Sequence, residues 1–352
     1  MRIAISGASG YIGQHLSSFL EGKGYDVIPL GRDLFKEDCF DELCRCVESC
    51  EVVINLAGAS INKRWTEAYK QELYDSRICV TRQLVHAINT RSVKLELFIS
   101  ASAVGYYPAF GEYDEYHDCR GMDFLARLCG VWEEEASACS SGVRLVITRF
   151  GVVLSEDGGA LKEMLRLQRF SRVSVVIGNG QQRFPWISLF DLCRSFGYII
   201  RNRQMRGVVN LVSPDLITQK QLAHTLARAD KIRRIIPLPK FFFRLKFGEG
   251  ASFVTKGQTV HPSKLQESGF TYIYPTIEKL MNITDHHTVP ELDVKRYMGR
   301  WYEIARYENH FERGMTDVTA TYTLLPDGKI RVENEGYKGG VHKKATGRAK
   351  QP

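Results

Sequence analysis

Three glycines near the start of the chain stand three residues apart, in the segment GASGYIG. An apolar, strand-like segment precedes them and a helix-like segment follows. In that setting the first glycine permits a tight turn, the second lets the backbone approach a phosphate, and the third allows close packing of helix on strand. The helix N-terminus then faces negative charge. The spacing predicts a loop that binds a dinucleotide pyrophosphate, through Gly7, Ser9, Gly10, Tyr11, Ile12 and Gly13.

The end of the second strand-like segment, VIPLGRD, bears on which dinucleotide binds. A carboxylate at this tip hydrogen-bonds a ribose 2′-hydroxyl and favours NAD. Here Gly31 and Arg32 occupy the tip, and a guanidinium offers a planar set of donors to a 2′-phosphate. Asp33 follows directly and leaves some NAD binding open. The prediction is NADP(H).

Short apolar segments alternate with helix-like ones over the first 150 residues. Such alternation is typical of βαβ units and a parallel, doubly wound sheet, here an α/β Rossmann fold. The predicted strands are 2–6, 26–30, 51–56, 95–100 and 144–149, and the predicted helices include 12–21, 62–89 and 123–138. Beyond Gly151 the rhythm changes, and we expect a small subdomain on the substrate side of the sheet, mainly within 155–280.

Composition narrows the class of protein. The 352 residues carry a formal charge of +8 without a long basic run, which does not indicate a nucleic-acid partner. No apolar segment reaches the ~20 residues of a membrane span, and the start of the chain does not read as a signal peptide, so we expect a cytoplasmic protein. Nine cysteines, without a CxxC, predict no disulfide framework and no metal site; residues 39–50 read as a helix that packs cysteine as a small apolar residue.

Several motifs together resemble the epimerase branch of the short-chain dehydrogenase/reductases: GASGYIG, NLAGASI, RWTEAYKQELYDSR, SASAVGYY and GNGQQRFPWISLFDL. The resemblance covers about residues 1–280. It implies that Leu56, Ala57 and Gly58 line the adenosine side of the cleft, and that Glu72 and Arg77 lie on a helix near the cofactor. It also implies that Ser102 hydrogen-bonds the reacting oxygen of a substrate.

The wider superfamily uses a Tyr-x-x-x-Lys pair, in which lysine lowers the tyrosine pKa and tyrosine moves a proton. Here the corresponding positions hold Leu125 and Cys129, which cannot replace them. Tyr106 and Tyr107 stand just beyond Ser102, and two interpretations stay open: one acts as the acid, or both wall the cleft by packing. A second departure is WISLFD, where the branch usually has Trp-Ile-His-Ile-Asp-Asp.

The last 60 residues have a different pattern. The segment from Tyr297 to Met315 resembles the opening of a bacterial lipocalin, with Gly299 and Trp301 at the signature positions. We expect domains at 1–280 and 292–352, joined by a linker at 281–291 that contains His286 and His287. A tail of this length has room for about three strands, too few to close a barrel. Two interpretations stay open: the chain is a truncated product, or the open edges of the tail pair in a homo-oligomer.

Two function classes follow from these features. The first is an NADP(H)-dependent enzyme, epimerase- or reductase-like, acting on a small and unidentified substrate, with a sugar derivative as one option. The second is a non-catalytic NADP(H)-binding protein that senses redox state or binds a partner. A third hypothesis is apolar-ligand binding through the lipocalin-like tail.

Overall fold

The predicted alternation of strands and helices is present in the computed structural model, which describes residues 1–91, 94–283, 293–302 and 315–349. The chain divides into two units, Met1–Thr284 and Asp285–Pro352. The first part of the first unit contains, in chain order, β1 (Arg2–Ser6), α1 (Tyr11–Glu21), β2 (Asp26–Leu30), α2 (Phe40–Glu48), β3 (Val52–Asn55), α3 (Glu67–Arg91), β4 (Leu97–Ala103), β5 (Glu112–Tyr113), α4 (Phe124–Ser137) and β6 (Arg144–Phe150).

The remainder of this unit is built from shorter elements. They are β7 (Val152–Ser155), α5 (Gly159–Ser171), β8 (Val173–Ile177), β9 (Trp186–Ser188), α6 (Leu189–Arg201), β10 (Gly207–Leu211), α7 (Gln219–Ala229), β11 (Arg234–Leu238), α8 (Lys240–Phe247), α9 (Ser252–Thr255), β12 (Thr259–Val260), α10 (Ser263–Glu267) and α11 (Ile277–Leu280). Among the described residues, no helix is both long and apolar enough to cross a bilayer.

The six long strands form one parallel sheet in the order β10-β6-β4-β3-β1-β2. Its central strands are continuous apolar runs, as sheets covered by helices on both faces require. α1 and α6 pack on one face, and α2, α3 and α4 on the other. The fold class predicted from the sequence is therefore confirmed.

Strand register brings the predicted site residues to one edge of the sheet. Ser6 lies beside Leu30 on one side and beside Asn55 on the other. Further along, Ser102 lies beside Arg149. Because the strands are parallel, all their carboxyl ends meet at this edge, and the strand order reverses direction at β1. Ligands of open α/β sheets bind in the crevice at such a point.

Three small parallel pairs, β7–β9, β8–β11 and β5–β12, build the region over this edge. α7 begins with a capping box in which Thr218 accepts from the Gln221 amide and the Gln221 side chain accepts from the Thr218 amide. Buried Trp186 on β9 packs with Leu154 and Leu222 in one apolar cluster.

The second unit contains α12 (Val294–Tyr297), β13 (Gly299–Tyr302), β14 (Met315–Leu324), β15 (Ile330–Lys338) and β16 (Val341–Ala349). The strands form one antiparallel sheet in chain order. The expected number of three strands is wrong: β14 to β16 are nine or ten residues long, and β13 is a fourth. The greater part of the predicted linker, 284–291 with His286 and His287, lies outside the described residues.

Candidate cofactor and active site

The turn after β1 accepts only glycine at two of its three glycine positions. Gly7 has φ +72°, and a Cβ there would lie 2.8 Å from the carbonyl carbon of Leu56. A Cβ on Gly13 would lie 2.2 Å from the Gly7 carbonyl oxygen. The first glycine thus lets the chain turn against the end of β3, and the last lets α1 pack onto the turn.

α1 begins without a side-chain cap. Its N-cap residue is Gly10, whose amide donates to the Gly7 carbonyl oxygen at 3.0 Å, and no side chain accepts from the first helical amides. Ser9 and Gly10 are exposed, while Tyr11 and Ile12 are partly buried. Uncapped amides and the positive end of the helix dipole make this turn an anion site, which fits a pyrophosphate.

Arg32 is exposed just beyond the end of β2, beside the glycine turn. Its neighbour Asp33 is engaged elsewhere, because Lys36 Nζ lies 2.5 Å from Asp33 Oδ1. The hydrogen bond and charge of Lys36 lower the Asp33 pKa. The Asp33 carboxylate therefore pairs with a lysine, which weakens the case that it selects NAD. The Arg32 guanidinium has no ion pair in the described part of the chain.

The end of β3 is fixed by buried polar contacts. Ser6 Oγ donates to Asn55 Oδ1 at 2.6 Å, and Asn55 Nδ2 donates to Thr81 Oγ1 at 2.7 Å. The Ala57 amide donates to the same Asn55 oxygen at 3.3 Å. These bonds hold Leu56, Ala57 and the exposed Gly58 at the mouth of the crevice.

Arg77 on α3 covers this loop. Its guanidinium donates to the carbonyl oxygens of Ala59, at 2.9 Å, and Leu73, at 3.1 Å. A Cβ on Gly58 would lie 2.9 Å from Arg77 Cζ. Burial lowers the Arg77 pKa, and no carboxylate balances its charge in the described residues. Glu72, the other residue implied on this helix, is exposed.

Ser102 is buried at the end of β4, where its hydroxyl donates to Glu133 Oε1 at 2.6 Å. Glu133, on α4, also receives two hydrogen bonds from Arg149 of β6, at 2.8 Å from Nε and 2.7 Å from Nη2. Burial disfavours the Arg149 charge, yet the hydrogen bonds and charge of Glu133 raise its pKa. Ser102, Glu133 and Arg149 form one closed polar network, which we call the buried triad.

The two tyrosines beyond β4 pack on this triad. The Arg149 guanidinium lies 3.5 Å from the Tyr106 ring centroid and 4.7 Å from that of Tyr107. Tyr107 is buried, and its hydroxyl donates to the Asp114 carbonyl oxygen at 2.8 Å. The Tyr106 hydroxyl donates to Asp118 at 3.1 Å. Burial raises both tyrosine pKa values, opposite to the lowered pKa of a tyrosine paired with lysine. A proton-transfer role for either tyrosine stays a prediction.

The positions of the missing Tyr-Lys pair are filled by apolar packing. Leu125 lies against the turn after β4, where a Cβ on Gly105 would be 3.5 Å from the Leu125 Cβ. Cys129 is buried, and burial raises its pKa to about 12. Neither side chain supplies a charge or a mobile proton near neutral pH.

The second departure from the branch pattern has a structural explanation. Ser188 caps α6 by accepting from the Asp191 amide at 2.9 Å. Asp191 is fully buried and accepts from the amides of Ile273, at 2.8 Å, and Tyr274, at 2.7 Å. Serine therefore suffices as the helix cap, and Asp191 anchors a later segment.

Sequence reasoning did not identify Glu133 and Arg149. The available signal for this pair was Arg149 at the end of the strand-like segment RLVITR, because a buried guanidinium requires a carboxylate partner. An open cavity of about 500 Å³ reaches Tyr106, Glu133 and Arg149 from the side of α4 and β10. In the described residues, no three His, Cys, Asp or Glu side chains are grouped as metal ligands.

Known proteins are similar in sequence to this chain over most of its length. The sequence model of the NAD dependent epimerase/dehydratase family matches residues 3–211, that of a domain of unknown function matches 238–282, and that of a lipocalin-like domain matches 292–352. An epimerase family protein of Staphylococcus haemolyticus is 35% identical over 286 residues, which cover 78% of this chain and 95% of the relative. YfhF, an epimerase family protein of Bacillus subtilis, is 34% identical over 82% of this chain and 100% of its own length.

A solved structure has the same fold. The human epimerase family protein SDR39U1, crystallised with NADPH, superposes with a TM-score of 0.73 at 32% identity, over 80% of this chain and 98% of the human one. The resemblance drawn from the motifs is confirmed: the chain belongs to the NAD dependent epimerase/dehydratase family.

Proposed function

We propose that this protein is an NADP(H)-dependent enzyme that oxidises or reduces a small hydroxyl or carbonyl compound. The observation that carries the proposal is the carboxyl edge of the parallel sheet, where the uncapped α1 turn, exposed Arg32 after β2 and Ser102 at the end of β4 all follow strands of the same sheet. NADPH in the human relative supports the choice of cofactor.

Different residues of the crevice bind different parts of the cofactor. The amides that follow Gly10 hold the pyrophosphate, Arg32 holds the 2′-phosphate, and Leu56 and Ala57 contact the adenosine. Arg77 keeps the loop at Gly58 in place through its bonds to backbone carbonyl oxygens. When bound, the nicotinamide supplies or accepts hydride.

The buried triad provides the proton step in this proposal. Ser102 Oγ donates to Glu133, and in this proposal the same oxygen accepts the proton of a substrate hydroxyl. As that bond forms, the original serine proton moves to the Glu133 carboxylate. Arg149 holds both Glu133 oxygens in place through two hydrogen bonds, and the open cavity beside Glu133 connects it with solvent. The reverse sequence protonates a substrate alkoxide.

The second candidate, a non-catalytic NADP(H)-binding protein, rests on a specific observation. Leu125 and Cys129 fill the Tyr-Lys positions, and burial raises the pKa values of Tyr106 and Tyr107. A protein of this kind needs the crevice but not the buried triad. Apolar-ligand binding through the lipocalin-like tail stays a prediction.

The two candidates differ in turnover. NADPH absorbance is followed with a panel of small aldehydes, ketones and keto-sugars, for the wild type and for Ser102→Ala. The enzyme proposal predicts consumption with at least one compound and a loss of about 10²-fold or more in Ser102→Ala, with NADPH affinity unchanged. No consumption with any compound, or equal rates in both proteins, would favour the non-catalytic alternative.

A further inference from the structure

One segment of the first unit, residues 231–247, exposes aromatic and basic side chains that the proposed function does not use. It comprises residues 231–233, β11, Pro239 and α8, and we call it the basic aromatic segment. It contains six Lys or Arg residues, four phenylalanines and no Asp or Glu. A segment so rich in cations, without acidic residues to balance them, is attracted to an anionic surface.

α8 packs on its own unit through one side only. Phe243 and Phe247, one turn apart, are its half-buried residues, and none is fully buried. The Phe247 carbonyl oxygen accepts from the Trp65 amide at 3.2 Å, which fixes the end of the helix. The inner face of α8 is thus defined.

The outer face of α8 is apolar. At about 100° per residue, Phe241, Leu245 and Phe242 fall within an arc of about 100° opposite the half-buried phenylalanines. Their exposed fractions are 59%, 70% and 45%. Three large apolar side chains on one helix face normally require a covering surface.

Cations border this apolar face on both sides. The helical spacing puts Lys246 at one edge and Arg244 at the other, with Lys240 one turn before Arg244. None of the three forms an ion pair within the described residues. The neighbouring carboxylate, Glu249, is instead bound by Lys70 at 2.6 Å.

β11, which precedes α8 in the chain, also exposes basic and apolar side chains. Arg233 and Arg234 are exposed, and Ile236, two residues after Arg234, is 46% exposed. Alternation along the strand puts Arg234 and Ile236 on one face of the β8–β11 pair. The exposed surface therefore continues from α8 onto the strand.

We propose that the basic aromatic segment docks on an anionic lipid bilayer, with Phe241, Phe242 and Leu245 inserted among the head groups. An apolar stripe bordered by Lys and Arg is typical of a helix that lies in the bilayer interface. The charged ends of the long basic side chains reach the lipid phosphates while their aliphatic parts contact apolar groups. A protein partner would need an apolar groove and several carboxylates in register. A bilayer containing anionic lipid offers an apolar interior and negatively charged head groups everywhere on its surface. The docking is peripheral and independent of the proposed catalysis.

The test is co-sedimentation of the full chain with vesicles of phosphatidylcholine alone, or of phosphatidylcholine with phosphatidylserine, at low and raised salt. We expect binding to the phosphatidylserine vesicles that weakens with salt. The double variant Arg244→Glu/Lys246→Glu loses about tenfold or more in partitioning, and Phe241→Ser/Leu245→Ser loses a similar factor.

Matched control variants change charged and aromatic residues outside the basic aromatic segment. Lys23→Glu/Arg45→Glu reverses two exposed charges, one in the turn after α1 and one on α2, and Phe110→Ser removes an exposed aromatic ring. Both are expected to bind vesicles like the wild type, and unchanged circular dichroism and thermal midpoints confirm that every variant is folded. Wild-type protein that ignores phosphatidylserine, or segment variants that bind as well as the controls, would overturn the proposal. So would segment variants that change only a substrate KM or the oligomeric state, since the surface would then belong to the substrate cleft or to a second copy.

Discussion

Ser102 and Glu133 are joined by a hydrogen bond of 2.6 Å between β4 and α4, deep under the edge where the crevice opens. The serine that the family resemblance assigns to the substrate is therefore already polarised by a carboxylate. Arg149 completes the buried triad from β6. The chain lacks the Tyr-Lys pair, and the network that we propose for the proton step contains Glu133, one helical turn beyond Cys129 on α4.

Removing the Glu133 charge is expected to destabilise the fold. In Glu133→Gln, Arg149 stays buried without its counter-charge, and we expect the free energy of unfolding to fall by about 3 kcal/mol. Glu134→Gln is the matched control: Glu134 pairs with Arg120 on the surface at 3.1 Å, and its loss should change stability by less than about 1 kcal/mol. Urea unfolding of both variants measures the difference, and equal effects would contradict a buried triad.

The glycine turn predicts a contrast between two Gly→Ala substitutions. In Gly13→Ala the new Cβ meets the Gly7 carbonyl oxygen at 2.2 Å, so the turn must shift, and we expect weaker NADPH binding and a lower thermal midpoint. At Gly142, before the amino end of β6, a Cβ would meet only Ser140 Oγ at 3.8 Å, an ordinary contact, so Gly142→Ala should fold and bind as the wild type does. Similar midpoints and affinities for the two variants would count against this turn geometry.

Alkaline stability provides a third prediction, from Cys193 on α6. Burial raises the pKa of this thiol from 9.0 to about 12. Between the two pKa values the folded thiol keeps its proton and the unfolded thiol loses it. The contribution of the Cys193 thiol to stability is therefore fully present below the pKa of the unfolded state and is lost as pH rises toward the pKa of the folded state. The stability advantage of the wild type over Cys193→Ala should therefore shrink by about 1.4 kcal/mol per pH unit above about pH 9.

Urea unfolding between about pH 8 and about pH 11 measures this slope. Cys79→Ala, at an exposed position on α3, is the control, and its difference from the wild type should stay constant. A constant difference for Cys193→Ala as well would show that the folded thiol ionises as freely as the unfolded one.

The sequence was informative where a pattern is local. Apolar strands and the glycine turn predicted the Rossmann sheet. Helical spacing predicted one apolar face of Phe40, Leu43, Val47 and Cys50 in the cysteine-rich segment; the last three are buried and Phe40 is half-buried. The predicted start of α3 at Asn62 was too early, because Trp65 pairs with Gly248 and holds the preceding residues as a loop. A contact between residues so far apart has no local signature.

The buried triad shows the same limit within the site. Glu133 is the first of the three glutamates in an ordinary helical segment, WEEEA, and only packing distinguishes it from its exposed neighbour Glu134. Its two partners come from strands that become neighbours only in the folded sheet. Family resemblance supplied Ser102, but the group that polarises it required the structure.

The central claim is that the crevice binds NADP(H) with Arg32 on the 2′-phosphate. Calorimetric titration with NADPH and with NADH, on the wild type and on Arg32→Ala, tests it most directly, and Lys36→Ala asks whether a released Asp33 also weakens NADPH binding. We expect micromolar NADPH binding, weaker NADH binding, and a loss of that preference of about tenfold or more in Arg32→Ala. Absence of binding by either nucleotide, or an unchanged preference in Arg32→Ala, would contradict the account.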